Sequence, residues 1–296
     1  MTLEELIRGW FIKNEEIAGR MARYAGQPAI FLQSAPADRQ TGWDQKSQYP
    51  RIVNTVLLRA DSERKRQGVL TVDFYCDLSA SIPEEIEPLI RTSLKDILMQ
   101  PDDGPPYCFA WQRTDPFELE SRSIDERGDK RIGGYRLQFD VLEFPNQFMT
   151  YPDPIESLSI ELKEEFPDMF VVGIDKIDKY QVATEDNPVL YCRMESYQTD
   201  HVSMGITWIN CKIALHIIAP SADARSKWVR VLSNFLMMSG EAVMTDMTPL
   251  RYMGVQATQN ADYLITGQVM LQGQYTLPRY DQGSGSVVRA VRIKEG

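Results

Sequence analysis

A strand that alternates apolar and polar residues and runs at once into an amphipathic helix occurs twice in this chain, and it restricts the fold more than any other feature. In residues 69–99, Leu70, Val72, Phe74 and Cys76 alternate with Thr71, Asp73, Tyr75 and Asp77, the period of two expected of a strand with one face on a core. After a break containing Pro83, Ile86, Leu89, Ile90, Leu94, Ile97 and Leu98 recur at three- and four-residue steps, which predicts one helical stripe. In residues 206–238, Thr207, Ile209, Cys211, Ile213, Leu215 and Ile217 recur at every second position, and Pro220 ends the run. Trp228, Val229, Leu232, Phe235 and Leu236 then form a second helical stripe. The chain reads as two copies of one module.

The remaining segments fall into the same order on both sides. Residues 3–24 carry Leu3, Leu6, Ile7, Trp10, Phe11, Ile17 and Met21 at mostly helical steps, with Thr2 and Glu5 spaced as a capping box; the spacing predicts one amphipathic helix that ends near Gly26 and Pro28. Its counterpart is a shorter helix over Ile155, Leu158, Ile160, Leu162 and Phe166, stopped by Pro167. Extended stretches at 29–33 and 169–174 follow the two helices. Strands that begin after Pro50 and after Pro188 come next, and alternating strands near 135–144 and 265–275 close each copy. The proline-rich stretch 144–154 is the natural linker. The expected fold is α+β, two similar modules, each a mostly antiparallel mixed sheet with helices packed on one face. The expected division is a first module at 1–150, a diverged second copy at 151–279 and a flexible arm at 280–296. In that arm Val287, Val288, Val291 and Ile293 have the composition of a strand that adds to a neighbouring subunit's sheet.

Composition limits the range of functions. A chain of 296 residues is about two domains long at roughly 100–200 residues each, and 43% apolar with 25% charged residues suits folded domains rather than disorder. The net charge of −10 speaks against a broad basic field that grips phosphate. It does suit a channel through which DNA slides. No apolar run reaches the roughly 18–20 residues of a membrane span, and the N-terminus lacks the order of a secretory signal, so a cytoplasmic product is expected. Cys76, Cys108, Cys192 and Cys211 have no metal-ligand spacing and read as core thiols.

There is no phosphate-binding Gly-rich loop, no His-Glu-x-x-His and no Gly-x-Ser-x-Gly elbow. His201 is expected in a polar turn and His216 on the outward phase of a strand. The acidic pairs Glu84-Glu85, Asp102-Asp103 and Glu164-Glu165 sit at helix starts or in loops, where helix dipoles and solvent account for them. Met237-Met238 read as adaptable packing, and Trp43 and Trp111 lack the basic groove of a single-strand binder. No catalytic, cofactor or metal residue is assigned. Two charged loops are instead candidate partner contacts. The first, 59–68, carries Arg59, Asp61, Glu63, Arg64, Lys65 and Arg66. The second, 121–131, carries Arg122, Asp125, Glu126, Arg127, Lys130 and Arg131.

With this order in hand, residues 3–279 resemble the tail terminator and tail completion proteins of long-tailed bacteriophages, in a duplicated form. The features shared are the N-terminal helix, the Ala35-Pro36 loop before a Pro-preceded strand, the Gly-Val-Leu-Thr-Val-Asp-Phe-Tyr-Cys strand at 68–76 followed by a helix, and the closing strand near Tyr135. The resemblance implies a structural virion protein without catalysis or cofactor. It would form a ring that ends the tail tube and joins it to the head or neck, assembled in the host cytoplasm. Doubling implies six subunits in two tiers, or three subunits with pseudo-sixfold symmetry. The implied partners are the tail tube protein and head–tail connector proteins, with DNA passing through unbound and no membrane. Competing readings are another tube or baseplate adaptor, and a duplicated α+β enzyme or ligand binder.

Edge strands lend the ring some physical weight, since closure through heterologous contacts satisfies them.

Overall fold

The computed structural model describes residues 1–38, 40–44, 48–59, 68–119 and 131–279. The fold is α+β, and its two modules share one strand order. In the first, α1 (Leu3–Lys13), α2 (Glu15–Ala18) and the small hairpin of β1 (Arg23–Tyr24) and β2 (Gln27–Pro28) lead to β3 (Ile30–Leu32), β4 (Arg51–Leu58) and β5 (Gly68–Asp77). A 3-10 turn at Pro83–Glu85, α3 (Glu87–Ser93), β6 (Ile97–Met99), β7 (Tyr107–Leu119) and β8 (Ile132–Glu143) complete it. The second module contains α4 (Pro154–Glu165), β9 (Phe170–Val171), β11 (Val189–Val202), β12 (Ile206–Ile218), α5 (Ala222–Ser239), β13 (Glu241–Val243), β14 (Pro249–Ala257) and β15 (Val269–Pro278). Between β9 and β11 the chain forms β10 (Tyr180–Val182), which lies in the first sheet.

The first sheet runs β10-β6-β7-β8-β5-β4-β3 and the second β13-β14-β15-β12-β11-β9. Set β10 aside and each strand of one sheet has its counterpart at the same place in the other. Both sheets are antiparallel except at one edge, where β3 pairs parallel with β4 and β9 parallel with β11. Contacts divide the chain into residues 1–145 with 176–184, and residues 146–175 with 185–296.

Each core lies between one sheet face and its helices. In the first module Leu6, Ile7 and Phe11 of α1 and Ile90 of α3 meet Leu70, Val72, Phe74 and Cys76 of β5 and Leu137, Phe139 and Val141 of β8. In the second, Leu158 and Leu162 of α4 and Val229, Leu232 and Leu236 of α5 meet Ile209, Cys211, Ile213, Leu215 and Ile217 of β12. Each such side chain contributes about 1.5–3 kcal/mol by leaving water.

Four local expectations are corrected. The N-terminal helix is broken at Asn14, whose side-chain oxygen accepts from the Glu16 and Ile17 amides at 3.1 and 3.2 Å and starts α2. The helix after β5 stops at Ser93, and Ile97 and Leu98 belong to β6 instead. His201 lies within β11 rather than in a turn. His216 keeps its outward phase but is fully buried, with Nδ1 2.9 Å from the Tyr263 carbonyl oxygen and Nε2 3.5 Å from Arg193 Nε.

Candidate functional site

The faces that project from the two modules are sheet surfaces and hairpin ends. On the first sheet, the odd positions of β5 turn away from the core and form cross-strand rows. In one row Arg51, Tyr75, Gly134 and Phe117 are register partners in turn. In the next, Val53, Asp73, Arg136 and Asp115 are. The Arg51 guanidinium lies 4.6 Å from the Tyr49 ring centre and 5.4 Å from that of Tyr75, and its Nη1 is 2.6 Å from Asp38 Oδ1. Arg136 holds Asp73 with two parallel hydrogen bonds of 2.7 and 2.8 Å, the strong fork geometry for this pair. Burial pushes the Tyr49 phenol up to about 12, so it stays a neutral donor to Asp38 Oδ2 at 3.0 Å.

A cleft forms where β7 bulges between Trp111 and Arg113, and it is lined by Glu84, Glu87, Arg91, Trp111, Thr114 and Tyr135. Its groups are joined in series. Trp111 Nε1 donates to Thr114 Oγ1 at 3.0 Å, Thr114 Oγ1 donates to Glu87 Oε1 at 2.9 Å, and Arg91 reaches the same carboxylate at 3.2 Å. Arg91 also lies 4.9 Å from the Trp111 ring centre. Chemically this wiring makes a stiff mixed aromatic and charged surface suited to a partner's polar edge.

Of the candidate loop residues, the structure describes Arg59 and Arg131. Arg59 is exposed just beyond β4. Arg131 is clamped to Glu118 on the neighbouring strand by bonds of 2.8 and 3.0 Å. Those bonds raise the arginine's pKa and lower the carboxylate's, an exposed pair made within its own hairpin. Asp61, Glu63, Arg64, Lys65, Arg66, Arg122, Asp125, Glu126, Arg127 and Lys130 lie outside the described residues, as do Val287, Val288, Val291 and Ile293.

Sequence reasoning missed the corresponding hairpin of the second module. The β11–β12 end exposes Val202, Met204 and Ile206, and Arg279 ties it down with a 2.9 Å bond from its amide to the Gly205 carbonyl oxygen. The signal available was a Ser-Met-Gly turn between β-branched residues. Met237 and Met238, read as packing, are exposed. Trp43 instead packs edge-on against Tyr24 and Phe31 at 5.1 and 5.9 Å.

The four cysteines are free and buried. Burial pushes Cys76 and Cys211 up to about 11 and Cys192 up to about 12, which favours the thiol over the reactive thiolate. Among the described residues no group of three or more His, Cys, Asp or Glu is placed to hold a metal. No helix among them is long and apolar enough to cross a membrane.

A carboxylate of the second module is perturbed by burial. Glu161 on α4 accepts a short hydrogen bond from Tyr252 Oη on β14. Burial raises the Glu161 pKa above its ordinary 4.5, and the Tyr252 bond opposes part of that rise. The folded chain thus holds this proton more tightly than the unfolded chain does. The resulting stabilisation is full below 4.5 and is lost as pH rises through the folded value. Glu161→Gln keeps an acceptor for Tyr252 and discards the charge. Thermal melts at pH 7 should therefore give a midpoint roughly 1–3 °C higher, with the gain vanishing near pH 4.

No protein-family model, curated protein or solved structure matches this chain.

Proposed function

We propose that this chain is a structural virion protein of a tailed bacteriophage or a related tail-like particle, acting through assembly rather than catalysis. Copies close into a ring that ends the tail tube and joins it to the head or neck. The observation that carries the reading is the tandem repetition of one module, strand for strand. A repeated module multiplies equivalent contact surfaces within each subunit, which is what a ring with internal pseudo-symmetry needs. Stiff cross-strand rows on the first sheet and an apolar hairpin end on the second give two chemically different contact surfaces. A net charge of −10 favours free passage of DNA through the ring.

The test is location in the particle. Gold-labelled antibody raised against residues 1–145 should mark the junction of tail and head in micrographs of intact particles. Label along the tube, at the baseplate or nowhere on the particle overturns the reading.

A further inference from the structure

Among the described residues β6 meets β7 at one register pair, Met99 with Tyr107, and from there β7 runs on to Leu119 with only β8 as a neighbouring strand. This outer part of β7 is an open edge, yet it is unsuited to taking another strand. It bulges between Trp111 and Arg113, and Pro116 has no amide hydrogen to give a ladder. A bulge and a proline are two of the devices that keep an edge from pairing. Instead the edge forms one wall of a groove whose other wall is the 3-10 turn at Pro83–Glu85 and α3.

The cleft at Trp111 has a volume of about 500 Å³ and adjoins a second hollow of about 310 Å³, the two sharing Glu84 and Tyr135. The walls are mostly rings, the aromatic ones of Trp111, Tyr135 and Phe117 and the pyrrolidines of Pro83 and Pro116. Trp111 is 45% exposed. Charge along the groove is nearly balanced. Glu87 is matched by Arg91 at 3.2 Å, Glu118 by Arg131 at 2.8 Å and Asp115 by Arg113 at 3.1 Å. Glu84, at the junction of the two hollows, is exposed and accepts from Tyr135 Oη at 3.1 Å, with no cation paired to it among the described residues.

We propose that this groove binds an extended, proline-containing segment of another protein, with a lysine or arginine of that segment set against Glu84. A polyproline-type helix has no internal hydrogen bonds and needs no ladder from its receptor, and grooves walled by aromatic rings are the surfaces that take it. The unmatched acid at the junction supplies the charge complementarity. A basic side chain can lay its apolar stem along the Tyr135 ring and its head at the carboxylate. The groove is also fixed beforehand, through the Trp111–Thr114–Glu87–Arg91 chain of contacts on one side and the Tyr135–Glu84 bond on the other, so docking orders few side chains. This inference goes beyond the ring reading: the groove lies within one module, and single chains and rings alike would carry it.

The full-length chain is titrated against a fluorescein-labelled peptide of Pro-Pro-Arg repeats, with fluorescence anisotropy as the readout. Pro-Pro-Glu repeats and Gly-Ser-Arg repeats of equal length are the controls, the second because an acidic chain attracts any cationic peptide. The wild type should bind Pro-Pro-Arg saturably and about 10-fold tighter than either control. Trp111→Ala should weaken that binding about 10-fold or more and Glu84→Gln about 3-fold, both with wild-type far-ultraviolet dichroism. If Trp111→Ala fails to fold, Glu84→Gln and the Gly-Ser-Arg control decide. Absence of saturable binding, equal binding of Gly-Ser-Arg repeats, or a loss in only one of two folded variants overturns the inference. None of these results bears on whether copies close into a ring.

Discussion

Gly134→Val should unfold the first module or lower its melting point by more than about 10 °C, a loss of about 4 kcal/mol or more. Gly134 lies on β8 between Tyr75 on β5 and Phe117 on β7. A Cβ there would stand 1.8 Å from the Phe74 carbonyl oxygen and 2.8 Å from the Phe74 carbonyl carbon. Those atoms are backbone of the central strand, so no side-chain rotation relieves the clash and the ladder itself must move. The space above the glycine is used instead by the rings of Tyr75 and Phe117, which meet edge to face at 5.1 Å, a known way of protecting a glycine within a sheet. Gly134→Ala should show much of the loss, and Phe117→Ala a smaller one. A Gly134→Val chain that melts with the wild type would mean that β8 does not approach β5 as described.

Asp153→Ala should destabilise the second module by about 3–4 kcal/mol. This side chain is buried at the head of α4. Its Oδ1 accepts from the Ile155 and Glu156 amides at 2.9 and 3.1 Å, which caps the helix. Its Oδ2 accepts from the Met149 and Thr150 amides at 2.9 and 3.0 Å, which fixes the incoming chain. Alanine leaves these amides without that acceptor in a site water reaches poorly, and each costs about 1–3 kcal/mol before relaxation. Asp153→Asn keeps one carbonyl oxygen and should lose about half as much. Chemical unfolding monitored by far-ultraviolet dichroism gives the comparison. At the corresponding helix of the first module, Thr2 and Glu5 form a reciprocal cap instead, so the two copies solve the same problem with different residues.

Much of the fold was legible because its central strands have one buried face. Alternation in β5 and β12 announced both sheets, and the shared element order announced the duplication. Where the pattern lost its period, reading failed. Ile97-Leu98-Met99 is apolar throughout and continued a helical stripe, although it is a strand covered on all sides. Asn14 sat in a run of mostly helical spacing, yet its side chain competes for backbone amides and starts a new turn. Strand β10 gave no signal, since three residues form a strand only when a distant edge accepts them. His216 read as outward-facing because the cover over it, the Tyr263 stretch, is remote in sequence.

The candidate site was legible in part. Charged stretches were visible at once, but whether a charge is available depends on its neighbours, and Arg131 is held by Glu118. The edge at β13 and the apolar end of β11–β12 carry single acids, Glu241 and Asp200, and no run of charge. Only pairing partners and exposure single them out.

The central claim is that copies of a duplicated module assemble into a closed ring. Rotationally aligned electron micrographs of the purified full-length chain test it most directly. The account predicts closed annular particles with an open centre, showing six or three subunits by symmetry. Single-chain particles at every concentration, or open fibres that never close, would contradict it.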